Sequence, residues 1–319
     1  MIKAGIIGGT GYTGGELIRL LLNHPHAELS FVTSYSNVGK KVTDLHQDLI
    51  GEIDLEFIDN STDADVLFLA LPHKESKIWL ENNNVGNAVV IDLGNDFRIG
   101  ETYQGNSFVY GLPELNSAQL KGAKFIANPG CFATVIQLGI IPILQAQEVS
   151  EIYTTGITGA TGAGKSLSET THFSWRQNNI SAYKTLTHQH LGEINFQLKE
   201  LSKVPFSVQF VPWRGDFARG IFVSSTFKTS LSLEELFELY EKFYGGQMFT
   251  TVSRKEINLK QVVNTNRCLI NIEKNGDFAV VHSAIDNLLK GASGQAIHNM
   301  NISFGFPENA GLKLKSIAF

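Results

Sequence analysis

A glycine string near the start of the chain constrains the fold more than any other stretch. Lys3-Ala4-Gly5-Ile6-Ile7 reads as a short buried strand and runs into Gly8-Gly9-Thr10-Gly11-Tyr12-Thr13-Gly14-Gly15. The apolar segment 16–22 that follows reads as a helix. Strand, glycine turn and helix in that order are the context of a dinucleotide fingerprint. The glycines let backbone N–H groups approach a pyrophosphate at the helix N-terminus. A plain tight turn would use glycine too, and the flanking elements favour the cofactor.

Further buried-strand runs at 29–33, 66–72, 88–93 and 125–127 alternate with helical segments, which predicts a doubly wound parallel sheet. With 319 residues the chain exceeds what one core usually organises. The expected class is α/β: a Rossmann-type domain over 1–130, completed by a C-terminal helix around 285–319, and an α+β mixed-sheet domain over 131–284. The second domain is assigned substrate binding and catalysis.

The net charge of -5 offers no basic field for nucleic acid or an anionic membrane. Two cysteines far apart, Cys131 and Cys268, make no disulfide framework, and no CxxC metal pattern occurs. No metal is expected. The first residues run straight into a strand with no signal peptide ahead, and no apolar run reaches spanning length, so a cytoplasmic location is expected.

An NAD site usually carries an acid about 20 residues past the glycines. Here the second strand ends in Ser34-Tyr35-Ser36, with Lys40 and Lys41 following. Serines and lysines suit a 2′-phosphate and point to NADP(H), although the lysines also fit a solvated loop. Pro72-His73-Lys74-Glu75-Ser76 and Gly94-Asn95-Asp96-Phe97-Arg98 lie where loops rim the cleft of a parallel sheet. Asp96 and Arg98 are candidate orienting residues, or an ion pair holding a loop. Residues 110–115 read as a turn-rich linker.

The chemistry centres on Asn128-Pro129-Gly130-Cys131-Phe132-Ala133-Thr134. Pro129 holds Asn128 out of the α region and Gly130 permits a tight turn into an apolar helix. Cys131 then falls in the first helical turn, where unpaired N–H groups and the dipole favour a thiolate. A small buried packing residue is the alternative.

Gly159-Ala160-Thr161-Gly162-Ala163-Gly164-Lys165-Ser166 matches the P-loop pattern after a strand-like run. The segment behind it is too rich in hydroxyl and β-branched residues for the helix a P-loop needs. A glycine loop whose N–H groups and Lys165 meet an anionic substrate is the better reading. In Thr187-His188-Gln189-His190-Leu191-Gly192-Glu193 the two histidines would share one face of a strand. A proton donor and acceptor for Cys131 is more economical than a metal site lacking a third ligand. Arg214 and Arg219, in a connection between two strands, suit a carboxylate or phosphate; a surface loop would also carry them. Cys268 lies in a strand as packing. The run 285–300 reads as an interrupted helix in which Gly291 and Gly294 allow close approach.

Together these motifs resemble the N-acetyl-γ-glutamyl-phosphate reductase family, along nearly the whole chain. The resemblance rests on the order and spacing of the glycine turn, Leu71-Pro72-His73, Asp92-Leu93-Gly94-Asn95-Asp96-Phe97-Arg98, Tyr110-Gly111-Leu112-Pro113-Glu114, the Cys131 segment, the His188/His190 element, Arg219-Gly220-Ile221 and Lys290-Gly291-Ala292-Ser293-Gly294-Gln295-Ala296. It implies Cys131 as nucleophile and His190 or His188 as acid/base, His190 being favoured. It also implies reduction of an N-acylglutamyl phosphate through a thioester, in arginine biosynthesis, by a homo-oligomer (dimer or tetramer). The cofactor is expected against Gly8, Thr10, Gly11, Tyr12, Thr13, Gly14, Ser34, Ser36, Pro72, Gly162, Gly291 and Gln295. The substrate is expected against Asn128, Lys165, Glu193, Arg214 and Arg219. Departures from the family pattern at Tyr35, Lys165, Gln189, Gly192, Trp213 and Arg214 leave the acyl group open, acetyl or larger. An aspartate-semialdehyde dehydrogenase, a P-loop nucleotidase and a non-catalytic NADP-binding regulator are the rival readings.

Overall fold

The structure, a computed structural model, describes residues 1–317. Two compact units divide it: Met1–Pro129 with Ala292–Lys313, and Gly130–Gly291 with the residues from Leu314.

In the first unit the strands β1 (Ile2–Ile7), β2 (Ala27–Thr33), β3 (Phe57–Ile58), β4 (Val66–Leu69), β5 (Val89–Asp92), β8 (Val109–Tyr110) and β9 (Phe125–Ala127) form one sheet; β6 (Thr102–Tyr103) and β7 (Asn106–Ser107) pair separately. The order is β3-β2-β1-β4-β5-β9-β8, and every pairing within it is parallel. Val66, Leu67, Phe68 and Leu69 are all fully buried, which explains their unbroken apolar run: helices cover both faces of such a sheet. Helix Tyr12–Leu22 turns Leu17, Ile18, Leu20 and Leu21 into the core and lies against helix Ser293–Phe304.

Two expectations are corrected here. Residues 113–120 form a helix, not a linker, opened by Pro113, whose missing N–H would have had no helical partner anyway. The supposed interrupted helix begins later than its pattern suggested. Ile285 ends a strand, Asp286 turns the chain by accepting the Leu288 and Leu289 N–H groups, and the helix runs only from Ser293 to Phe304. Gly305, at φ +70°, stops it in the left-handed region. The expected extension to 319 ends outside the described residues.

The second unit is a mixed sheet of β10 (Glu151–Thr158), β11 (Ser181–Ala182), β12 (Ser207–Arg214), β13 (Ile221–Lys228), β14 (Thr250–Val252), β15 (Cys268–Asn275) and β16 (Phe278–Ile285), ordered β11-β12-β10-β13-β16-β15-β14. Pairs β10/β12 and β14/β15 are parallel and the rest antiparallel. Helices Cys131–Ala146, His190–Leu198 and Leu233–Tyr244 cover one face. The alternating burial of β10 and β13 records that only one face is covered. Cys268 is fully buried in β15.

The P-loop reading fails on backbone grounds. After β10 the chain makes a short 3-10 turn, Ala160–Ala163, then Gly164 at φ +82°. No α-helix starts at Lys165 or Ser166; the next helical piece is another single turn, Glu169–Thr171. A phosphate-cradling loop needs the helix N-terminus that this segment lacks. Among the described residues no helix is long and apolar enough to cross a membrane.

Candidate active site

In the first unit the glycines of the turn have separable tasks. Gly8 sits at φ +86°, a region other residues rarely adopt, and donates its N–H to Thr33 Oγ1 at 3.1 Å. A Cβ on Gly14 would lie 2.7 Å from the Gly9 backbone, and one on Gly15 would lie 2.7 Å from the His46 ring. His46 fills that space and bonds the Gly9 carbonyl through Nε2 at 2.8 Å. Gly11 differs, with nothing within 4 Å of a built Cβ. The turn is thus tightly packed behind and open in front of the N-terminus of helix Tyr12–Leu22, a cradle that fits a pyrophosphate. Thr13 is tied to the C-terminal helix, its carbonyl accepting Ser293 Oγ at 2.8 Å. Gln295 is fully buried in that helix, and Pro72 is exposed beyond β4.

Beyond β2, Asn37 donates to Ser34 Oγ at 3.2 Å and Ser36 Oγ at 2.9 Å, and accepts Lys40 Nζ at 3.1 Å. Two serine hydroxyls and one ammonium therefore gather around a single amide. Lys41 points elsewhere, paired with Asp54 at 2.7 Å. Asp96 and Arg98 do hold loops, but not as a pair. Asp96 accepts the N–H groups of Lys74 and Lys77 at the start of helix Glu75–Asn82. Arg98 donates to the carbonyls of Asn128 and Leu93.

In the second unit Cys131 is the first residue of helix Cys131–Ala146, half-buried, after the extended Gly130. The first helical bond runs from Thr134 N to Gly130 O, so the N–H groups of residues 131–133 lie ahead of the ladder. Glu193 caps the turn, its Oε1 accepting Gly130 N–H at 2.9 Å. Gly291 is pressed against the cysteine: a Cβ there would come 2.8 Å from Cys131 Cβ.

The histidines are not on a strand. His188 lies in a turn and His190 opens helix His190–Leu198, yet their rings meet edge to face at 4.7 Å. Backbone N–H of His190 donates to His188 Nδ1 at 3.3 Å. The His188 ring also packs on Phe132, next to Cys131, at 5.6 Å. Burial, reinforced by the Lys184 and Arg214 charges, pushes His188 down to about 4. Protonation therefore favours the unfolded chain, where histidine titrates near 6.5. The stability His188 contributes is whole above pH 6.5 and is lost as pH falls from there to about 4. His188→Asn is expected to flatten that part of a Tm-against-pH curve; an unchanged slope would contradict it.

Tyr183 belongs to this cluster and was missed in the sequence, where no motif marks it. It packs edge to face with His188 at 5.7 Å, under the Arg214 guanidinium at 4.6 Å. Burial, then the nearby Cys131 sulfur, pushes its hydroxyl up to about 12, so it remains a protonated donor. Arg214 stands at the end of β12, its own carbonyl held by Arg176 at 2.7 Å. Arg219 is turned inward, its Nε and Nη2 bonding the fully buried Asp286 at 3.0 and 3.1 Å. Gly162 and Lys165 lie exposed on the loop after β10. Cys131, Glu193, Tyr183, His188, His190 and Arg214 are thus brought together, while Arg219 is bonded to Asp286 and Lys165 lies exposed after β10.

A dinucleotide turn in one unit, and in the other a thiol at a helix start in a cluster with two imidazoles, are the features of a nicotinamide-dependent oxidoreductase. Residues 3–123 match the model of the semialdehyde dehydrogenase NAD binding domain, and residues 131–287 that of the semialdehyde dehydrogenase dimerisation domain. Proteins named N-acetyl-gamma-glutamyl-phosphate reductase are similar along the full chain: 51% identical in Bacteroides fragilis and 52% in Bacteroides thetaiotaomicron, each covering 100% of both chains, and 50% in Christiangramia forsetii, covering 99% of both. The chain belongs to the N-acetyl-γ-glutamyl-phosphate reductase family and is a nicotinamide-dependent oxidoreductase. The fold is also that of aspartate semialdehyde dehydrogenase II from Vibrio cholerae (TM-score 0.72, 16% identity, 95% of this chain and 98% of that one). Aspartate semialdehyde dehydrogenase from Candida albicans, solved with NADP, gives 0.71, 16%, 95% and 98%.

Proposed function

We propose that the protein reduces an N-acyl-γ-glutamyl phosphate, acetyl or larger, to the N-acylglutamate 5-semialdehyde with NADPH, in the cytoplasm, as a step of arginine biosynthesis. The carrying observation is Cys131 at the start of its helix with the His188/His190 pair packed beside it. The Cys131 thiolate attacks the γ-carbonyl and phosphate leaves, giving a thioester. Bound NADPH supplies the hydride. The resulting hemithioacetal collapses to the aldehyde, releasing the thiolate. His190 handles the proton, because an imidazole held near 4, as His188 is, accepts one poorly at neutral pH. Arg214, stacked on Tyr183, is suited to an anionic part of the substrate.

The test is phosphate-dependent NADP+ reduction with N-acylglutamate semialdehydes. Turnover with an N-acyl substrate and none with aspartate semialdehyde is expected; inertness toward every acyl variant would end this reading. The Ser34, Ser36 and Lys40 cluster supports NADPH over NADH. Lys40→Ala should raise KM for NADPH by ~10-fold, about 1.4 kcal/mol, and leave KM for NADH within about twofold. Equal losses for both would remove the 2′-phosphate assignment.

The uncovered face of the second sheet supports a homo-oligomer. Tyr153 and Phe278 are 54% and 47% exposed there, and the half-exposed Trp213 and Phe222 flank Ile157 on the same sheet. An apolar sheet face of this kind suits a second copy of the chain.

A further inference from the structure

Asn128 follows β9 and is 1% exposed. Both backbone groups and both ends of its side-chain amide are engaged within the first unit. Its N–H donates to Asp92 O at 2.8 Å, and its carbonyl accepts Arg98 Nε at 2.8 Å. Nδ2 donates to Ala292 O at 3.0 Å and Oδ1 accepts Asn299 Nδ2 at 3.0 Å. Asn299 is itself fully buried and reaches Gly111 O at 3.0 Å as well; a side chain at 111 would collide with that amide.

The chain leaves the first unit after Pro129 and re-enters it at Ala292. The Asn128 amide therefore ties the outgoing passage to the returning one. Within the second unit the same two passages touch again, at Gly291 and Cys131. At this length only an asparagine carries both a donor for one neighbour and an acceptor for the other. Aspartate would set oxygen against the Ala292 carbonyl.

We propose that Asn128 is a positioning residue and not a substrate contact: the clasp of Asn128, Asn299 and the Ala292 carbonyl fixes the Pro129-Gly130 turn that delivers Cys131. The proposal rests on Cys131 as nucleophile. Asn128→Asp and Asn299→Ser each break one side of the clasp. Each should lower kcat by ~10²-fold, the scale of a small misplacement at a reacting centre, with KM for the acyl substrate within about threefold. Iodoacetamide alkylation of Cys131 should slow, with a shifted pH–rate profile, while NADPH affinity stays near wild type even though the loss of a buried hydrogen bond lowers Tm. The double variant should be no worse than the worse single, because one clasp is lost either way.

A raised KM at unchanged kcat in Asn128→Asp, with Asn299→Ser behaving as wild type, would make Asn128 a substrate contact and overturn the proposal. Loss of NADPH binding in both variants below their Tm would reduce the clasp to general folding and also overturn it. Alkylation reads the clasp whether or not Cys131 is the nucleophile; that reading fails separately, if Cys131→Ser turns over.

Discussion

Cys131→Ser is expected to lower kcat/KM by ~10³-fold or more while leaving NADPH affinity unchanged. The exchange replaces one atom at the first position of helix Cys131–Ala146 and disturbs little of the packing. What changes is the nucleophile. A thiol titrates near 8.5 in model peptides, far below a hydroxyl, and helix N-termini in general favour the thiolate. A serine hydroxyl is not ionised in that range. The N–H groups of residues 131–133, ahead of the first helical bond from Thr134, can steady a thiolate, and the same donors can receive charge developing on the carbonyl. Glu193 keeps this arrangement in place by capping Gly130. Residual turnover within tenfold of wild type would show that the thiol is not the attacking group.

His190→Asn carries the second largest expected effect, a fall in kcat of about 10²- to 10⁴-fold. Asparagine keeps approximate size and a hydrogen-bonding group at the start of helix His190–Leu198, so loss of proton transfer dominates. His188→Asn should cost less in kcat. Its imidazole is already neutral well below working pH, and its ring serves to pack against Phe132, Tyr183 and Phe210. The pH–rate profiles separate the two: His190→Asn should remove a limb of the profile that His188→Asn retains. The reverse pattern would exchange their roles.

The local patterns held wherever the physics is local. The glycine turn, the buried strand β4 and the helix opened by Cys131 stand where periodicity and turn chemistry predict them. Residues 159–166 show the limit of a motif without its context. Their composition matches a phosphate loop, but the helix that would make one is missing. Misreadings at 110–115 and 285–300 share one cause. Pro113 opens one helix, and a turn held by buried Asp286 comes before the other begins at Ser293; spacing of apolar residues records neither.

By itself, the sequence determined the α/β class, the glycine turn and the cysteine at a helix start, because each depends on neighbours within a few residues along the chain. Only the tertiary structure decided which distant groups meet. It brought Tyr183 beside Cys131, joined Arg219 to Asp286, separated Lys40 from Lys41, and closed Asn128 onto Asn299 across 171 positions. Burial also pushed His188 down, since desolvation depends on what packs over a ring and not on the residues beside it in the chain.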